Sequence, residues 1–172
     1  TDFFGGSAGD LCVARGLTEI PILRKDFIIS EYQVLEARAV GADAILLIAA
    51  SLSTQAIAQL TRLAHELGLE VLLEVHDAEE LERTLHAGAD LIGVNNRNLR
   101  TFRTDLDTSR KLIPLIPDGV TAISESGISS PAIVAELESA GYRGFLIGNH
   151  FMSMPDPGEA CRQFTETVMQ QS

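Results

Sequence analysis

Ala87-Gly88-Ala89-Asp90-Leu91-Ile92-Gly93-Val94-Asn95 compresses one structural unit of this chain into nine residues. A helical pattern over 78–87 stops at Gly88, a residue able to take the positive φ of a helix end. An apolar strand pattern begins at Leu91 and ends on Asn95, a side chain that can do chemistry. The same joint stands at Val40-Gly41-Ala42-Asp43-Ala44-Ile45, and more loosely at Ala140-Gly141-Tyr142-Arg143-Gly144-Phe145. Short helix-to-strand joints repeated in this way predict parallel strands with right-handed crossovers.

Working outward, six apolar segments read as strands, recurring at about the length of one strand-helix unit. They are 22–25 ending in Lys25, 44–48 with an apolar end, 71–74 ending in Glu74, 91–95 ending in Asn95, 122–127 ending in Gly127 and 145–148 ending in Gly148. The segments are apolar on both faces, as expected of a parallel sheet covered by helices on one side. Helices are expected over 31–40, 54–67, 78–87, 106–116, 131–140 and 157–169. Ser53 and Asp77 stand as N-caps, and Pro131 stands in a first turn where its missing N–H costs nothing. Polar groups at the carboxyl ends of successive parallel strands are how a β/α barrel builds its active site. No linker or second domain is visible, so 1–172 is expected to form one partial β/α barrel domain.

Charge narrows the partners. The 172 residues carry 24 acidic and 13 basic side chains, a formal net charge of −11. That argues against nucleic acid or an anionic membrane, which call for a cationic face. A phosphorylated small molecule remains compatible, because backbone amides and helix N-termini bind phosphate without net positive charge. Cys12 and Cys161 are the only cysteines. They read as reduced, half-buried thiols of a cytoplasmic protein rather than a disulfide or metal site. No apolar run reaches ~18 residues, and no signal peptide pattern opens the chain. The chain begins with Thr1, and is expected to be part of a longer product.

Alternation places Leu23 with Lys25, and Leu72 with Glu74, on common strand faces. If those faces point inward, an amine and a carboxylate stand at the carboxyl end of the sheet. A partly desolvated lysine serves as general acid, and a carboxylate takes or returns the proton. Asn95 at its strand end can orient a hydroxyl or carboxylate, and Arg97 can pair with an anion. Ser126-Gly127 and Gly148-Asn149 follow the last two strands, where barrels often bind phosphate through backbone amides. Glycine permits the close approach. Of the four histidines, His65 and His86 read as solvent-facing, His150 as part of a surface turn or short helix, and His76 as a neighbour of Glu74. No histidine spacing resembles a zinc motif.

Pro21-Ile22-Leu23-Arg24-Lys25-Asp26-Phe27-Ile28 resembles the third-strand signature of the indole-3-glycerol phosphate synthase family of tryptophan biosynthesis. The rest follows in order. Phe3-Phe4-Gly5-Gly6-Ser7 resembles the loop after the second strand, Leu73-Glu74-Val75-His76 the fifth strand, and Gly93-Val94-Asn95-Asn96-Arg97-Asn98-Leu99 the sixth. Ser124-Glu125-Ser126-Gly127-Ile128 resembles the seventh and Phe145-Leu146-Ile147-Gly148 the eighth. The resemblance implies a TIM (β/α)8 barrel, here lacking the N-terminal region with strands 1 and 2, so that strands 3–8 are present.

It also implies a lyase reaction. The family closes and decarboxylates 1-(2-carboxyphenylamino)-1-deoxyribulose 5-phosphate to indole-3-glycerol phosphate, carbon dioxide and water, with no cofactor or metal. By resemblance, Lys25 is the general acid at the sugar carbonyl, Glu74 the proton-handling carboxylate and Asn95 a substrate-orienting amide. Phe4, Phe27 and Leu46 match the apolar pocket around the aromatic ring, Arg97 and Glu125 polar residues around the substrate. Ser126, Gly127, Gly148 and Asn149 match the phosphate cradle.

Two departures stand out. The family's first-strand Cys-Pro…Glu-Ile-Lys pattern is absent, and Asn149 stands where serine or glutamate is more usual. Six strands alone are expected to leave the strands of Leu23 and Leu146 as open edges. The isolated chain is therefore expected to be marginally stable or self-associated, a folding or assembly piece with little activity. Another phosphate-binding barrel enzyme, phosphoribosylanthranilate isomerase, is the remaining alternative. It would call for a catalytic aspartate and cysteine at other strand ends, and neither Cys12 nor Cys161 stands at one.

Overall fold

A computed structural model describes residues 6–99 and 101–171. They divide into two compact units, one running to Glu74 and including Glu82–Leu91, the other formed by Val75–Leu81 and the residues from Ile92 onward.

The first unit holds α1 (Ala8–Arg15), β1 (Leu23–Arg24), α2 (Glu31–Ala39), β2 (Ala44–Ile48), a 3-10 turn at Ala49–Ser51, α3 (Thr54–Glu66) and most of β3 (Glu70–Val75). α4 (Ala78–Thr84) has residues in both units. β1, β2 and β3 are parallel neighbours, with Leu23 beside Ala44 and the β2–β3 register running from Ala44–Glu70 to Ile48–Glu74. Ile45, Leu46, Leu47 and Ile48 are all buried, as are Val71, Leu72, Leu73 and Glu74, so both faces of these strands are covered. That is why they read as unbroken apolar runs.

The repeated joint is visible as geometry. Asp43 N–H donates to Ile22 O at 2.9 Å and Asp90 N–H to Val71 O at 3.1 Å, in each case reaching back to the preceding strand. The aspartate side chains also reach back. Asp43 Oδ2 accepts from Ile22 N–H at 2.7 Å and from Arg15 at 3.1 Å. Asp90 Oδ2 accepts from Val71 N–H at 2.8 Å and lies 2.9 Å from His65 Nε2. Each aspartate thus ties a strand start to the helix before it.

The second unit holds most of β4 (Leu91–Asn95), α5 (Asp107–Leu112), a 3-10 turn at Ile113–Leu115, β5 (Thr121–Glu125), α6 (Pro131–Ala140), β6 (Gly144–Leu146), α7 (Asn149–Met152) and α8 (Pro157–Gln171). β4, β5 and β6 are neighbours in that order, and β5 and β6 are parallel with Glu125 beside Leu146. The third copy of the joint keeps the backbone bond, Arg143 N–H to Ala122 O at 2.9 Å, but not the aspartate. Tyr142 takes over: it is fully buried, and its hydroxyl donates to Ser109 O at 2.9 Å.

Several expectations are corrected. The first strand shortens to Leu23–Arg24, leaving Lys25 just beyond it. The helix expected over 78–87 ends at Thr84, and the one over 106–116 becomes Asp107–Leu112 followed by the 3-10 turn, where Pro114 has no N–H to continue an α-helix. Both thiols are free and exposed rather than half-buried. α1 buries none of its residues, and Cys161 lies one position off the α8 stripe of Ala160, Phe164 and Val168. His86 is exposed, and His150 stands in the four-residue α7, its ring edge-on to Phe151 and Phe164. Ser53 and Asp77 cap as expected, accepting from Ala56 N–H at 3.2 Å and Glu80 N–H at 2.8 Å.

Candidate functional site

In the first unit, β1 separates two cations by alternation. Arg24 turns to α2, bonding Glu36 at 2.6 Å. Lys25 takes the opposite face, and its Nζ lies 3.2 Å from Glu74 Oε2. Continuing the strand register puts Lys25 level with Leu46 and Leu72, one pleat below Glu74, so all four share a face. The glutamate side chain is 3% exposed and the lysine side chain 47%. A buried carboxylate thus meets an amine that solvent or a substrate can still reach. A cavity of about 310 Å³ beside it is lined by Ser7, Leu11, Leu23, Lys25 and Asp26 among others.

The apolar candidates differ. Leu46 is 2% exposed, within the core face. Phe27 is 44% exposed, in a loop held by Gln33, whose Nε2 donates to Phe27 O at 2.8 Å and whose Oε1 accepts from Ile29 N–H at 2.9 Å. Phe4 lies outside the described residues. His76 turns to Glu80, with Nδ1 at 3.2 Å from Oε2.

In the second unit, Asn95 ends β4, largely buried, and its Oδ1 accepts from Arg97 N–H at 2.9 Å. Arg97 forms an antiparallel bridge with Thr104. Glu125 ends β5 at 1% exposure. The β5–β6 register reaches one residue past the strands, with Ser126 N–H to Leu146 O at 3.4 Å. Ser126 and Gly127 both have left-handed backbone, at φ 67° and 78°. Only glycine fits at 127, since a Cβ there would stand 2.5 Å from Thr104 Cγ2. At Gly148 a Cβ would meet open space, and Asn149 is exposed as the first residue of α7.

Reading the strand ends overlooked Asn96. It is 2% exposed and sits at the centre of the β4–β5 polar contacts. Its signal was its position one residue beyond Asn95, on the opposite side of the chain. Among the described residues, no group of three or more His, Cys, Asp or Glu could hold a metal ion. No helix among them is long and apolar enough to cross a membrane.

Comparison with known proteins agrees with the resemblance. A protein of Bacteroides thetaiotaomicron named indole-3-glycerol phosphate synthase is 53% identical over 166 residues, covering 96% of this chain and 64% of that protein. One of Laribacter hongkongensis with the same name is 52% identical over 159 residues, covering 92% of this chain and 60% of that protein. The chain therefore spans less than two thirds of the length of these curated relatives. Among solved structures, 3-hexulose-6-phosphate synthase from Salmonella typhimurium is similar with a TM-score of 0.79 at 16% identity, over 96% of this chain and 81% of that one. KGPDC from Streptococcus mutans is similar at 0.70 and 18%, over 93% and 77%. At that identity the likeness is one of fold. The family model described as indole-3-glycerol phosphate synthase matches residues 1–164, and the chain belongs to that family.

Proposed function

We propose that the chain carries the proton-handling and anion-binding residues of an indole-3-glycerol phosphate synthase, and that its six strands correspond to strands 3–8 of a β/α barrel whose partial domain spans 1–172. The Lys25–Glu74 pair carries the reading: 3.2 Å apart, with the carboxylate buried and the amine half exposed.

The substrate is 1-(2-carboxyphenylamino)-1-deoxyribulose 5-phosphate. To close the five-membered ring, the ring carbon bearing the carboxylate bonds to the sugar carbonyl carbon, whose oxygen gains negative charge. Lys25 donates a proton to that oxygen. Loss of carbon dioxide leaves its electron pair in the ring and restores aromaticity. The new hydroxyl then leaves as water, with one proton removed from the adjacent carbon. Glu74 returns a proton to Lys25 or accepts one in the dehydration; the hydrogen bond the two share supports the first role.

The other candidates hold the substrate. Leu46 and Phe27 offer apolar surface to the aromatic ring, with Phe4 in the same role. Asn95, Arg97 and Glu125 orient its polar groups. The Ser126-Gly127 and Gly148-Asn149 turns take the phosphate through backbone amides. No cofactor or metal enters the scheme, and the setting is cytoplasmic tryptophan biosynthesis.

The test uses a protein of the relatives' full length carrying this sequence. One carbon dioxide should be released per substrate consumed. Conversion of substrate without carbon dioxide release, or isomerisation of phosphoribosylanthranilate in its place, would sink the reading.

A further inference from the structure

We propose that Asn96 is the positioning residue that sets the Ser126-Gly127 turn and aims its amide outward; its value for anion binding rests on the phosphate reading above. The Asn96 side-chain nitrogen faces three oxygens: Ser124 Oγ at 3.1 Å, Glu125 O at 3.0 Å and Ser126 O at 3.1 Å. Its Oδ1 faces one donor, Ser109 N–H, at 3.1 Å. The opposite amide orientation would set an oxygen against two carbonyls and an N–H against an N–H, so the network fixes the amide. The backbone of Asn96 is engaged too, its N–H on Glu125 O at 2.9 Å and its carbonyl on Asp105 N–H at 2.9 Å.

The consequence follows from the planar trans peptide, in which C=O and N–H point opposite ways. Holding Glu125 O aims Ser126 N–H the other way, and that N–H is found on Leu146 O. Holding Ser126 O likewise aims Gly127 N–H away from Asn96, and Gly127 is exposed. Ser126 is one of two non-glycine residues with positive φ among the described residues, a conformation that costs free energy and needs an outside hold. Asn96 supplies it from a buried position, where its bonds are shielded from water. The outer members brace it: Ser109 Oγ lies 2.8 Å from Ser124 Oγ, and Tyr142 bonds Ser109 O.

The experiment compares Asn96→Ser and Asn96→Asp with Tyr142→Phe, which removes one buried hydrogen bond at the far end of the network. Backbone chemical shifts of Ser126 and Gly127 report their φ. Both Asn96 variants should move Ser126 out of the left-handed region, and Tyr142→Phe should not. In the parent, the Asn96 side-chain amide protons should exchange slowly with solvent. Titration with inorganic phosphate is the second arm, with affinity expected to fall at least tenfold in the Asn96 variants. A parent that binds no phosphate sinks the phosphate reading alone, while the shifts still decide the positioning role. An unmoved Ser126 in a folded Asn96 variant, an equal displacement in Tyr142→Phe, or fast exchange of the Asn96 amide would overturn the inference.

Discussion

Tyr142 and Asn96 are polar residues that the fold buries, and they differ from Lys25 and Glu74 in what made them visible. Lys25 and Glu74 stand at the ends of apolar runs, so alternation alone assigns them to a face. Asn96 and Tyr142 matter because of partners 13 to 33 residues away, on α5 and β5, which no local pattern encodes. Tyr142 yields a pH signature. Burial pushes its hydroxyl from 10.0 up to about 12, with the Ser109 side chain partly opposing this. A folded-state value above the unfolded one favours the neutral form in the fold. Its contribution is therefore complete below pH 10 and falls away between about 10 and about 12. Alkaline unfolding of the parent should steepen in that window, and Tyr142→Phe should remove the extra steepness. An identical pH profile for the two would contradict the burial argument.

At the scale of elements, the glycine-ended joints were legible because each packs helix stop, turn and strand start into a few residues, and all three glycines take positive φ. Element ends were less so. The two-residue β1 follows from pairing on one side, since among the described residues it bonds only β2, and β6 bonds only β5. Such strands have few ladder bonds to extend them, and their outer N–H and C=O groups can pair with another chain. α1 was legible only as a helical pattern around Cys12, without bounds, because its signature is a capping box, Ser7 with Asp10, on a helix that buries nothing. We propose that β1 and β6 let this chain self-associate when alone. Sedimentation should then show a mass that rises with concentration. A monomer at every concentration, with cooperative unfolding, would remove the proposal.

For the molecule as a whole, membership of the family and the order of its motifs were readable from end to end, because every strand end but that of 44–48 carries a polar side chain or a glycine. Phe4 lies outside the described residues, and the phosphate turns rest on backbone geometry that residue identity suggests only through Gly127 and Gly148. The central claim is that the Lys25–Glu74 pair performs the proton transfers of ring closure. The most direct measurement is turnover of 1-(2-carboxyphenylamino)-1-deoxyribulose 5-phosphate by Lys25→Ala, in a protein of the relatives' full length. Loss of a general acid lowers the rate by ~10²–10⁴. A fall of that size, with substrate still bound, is the predicted result; turnover within about threefold of the parent would contradict the account.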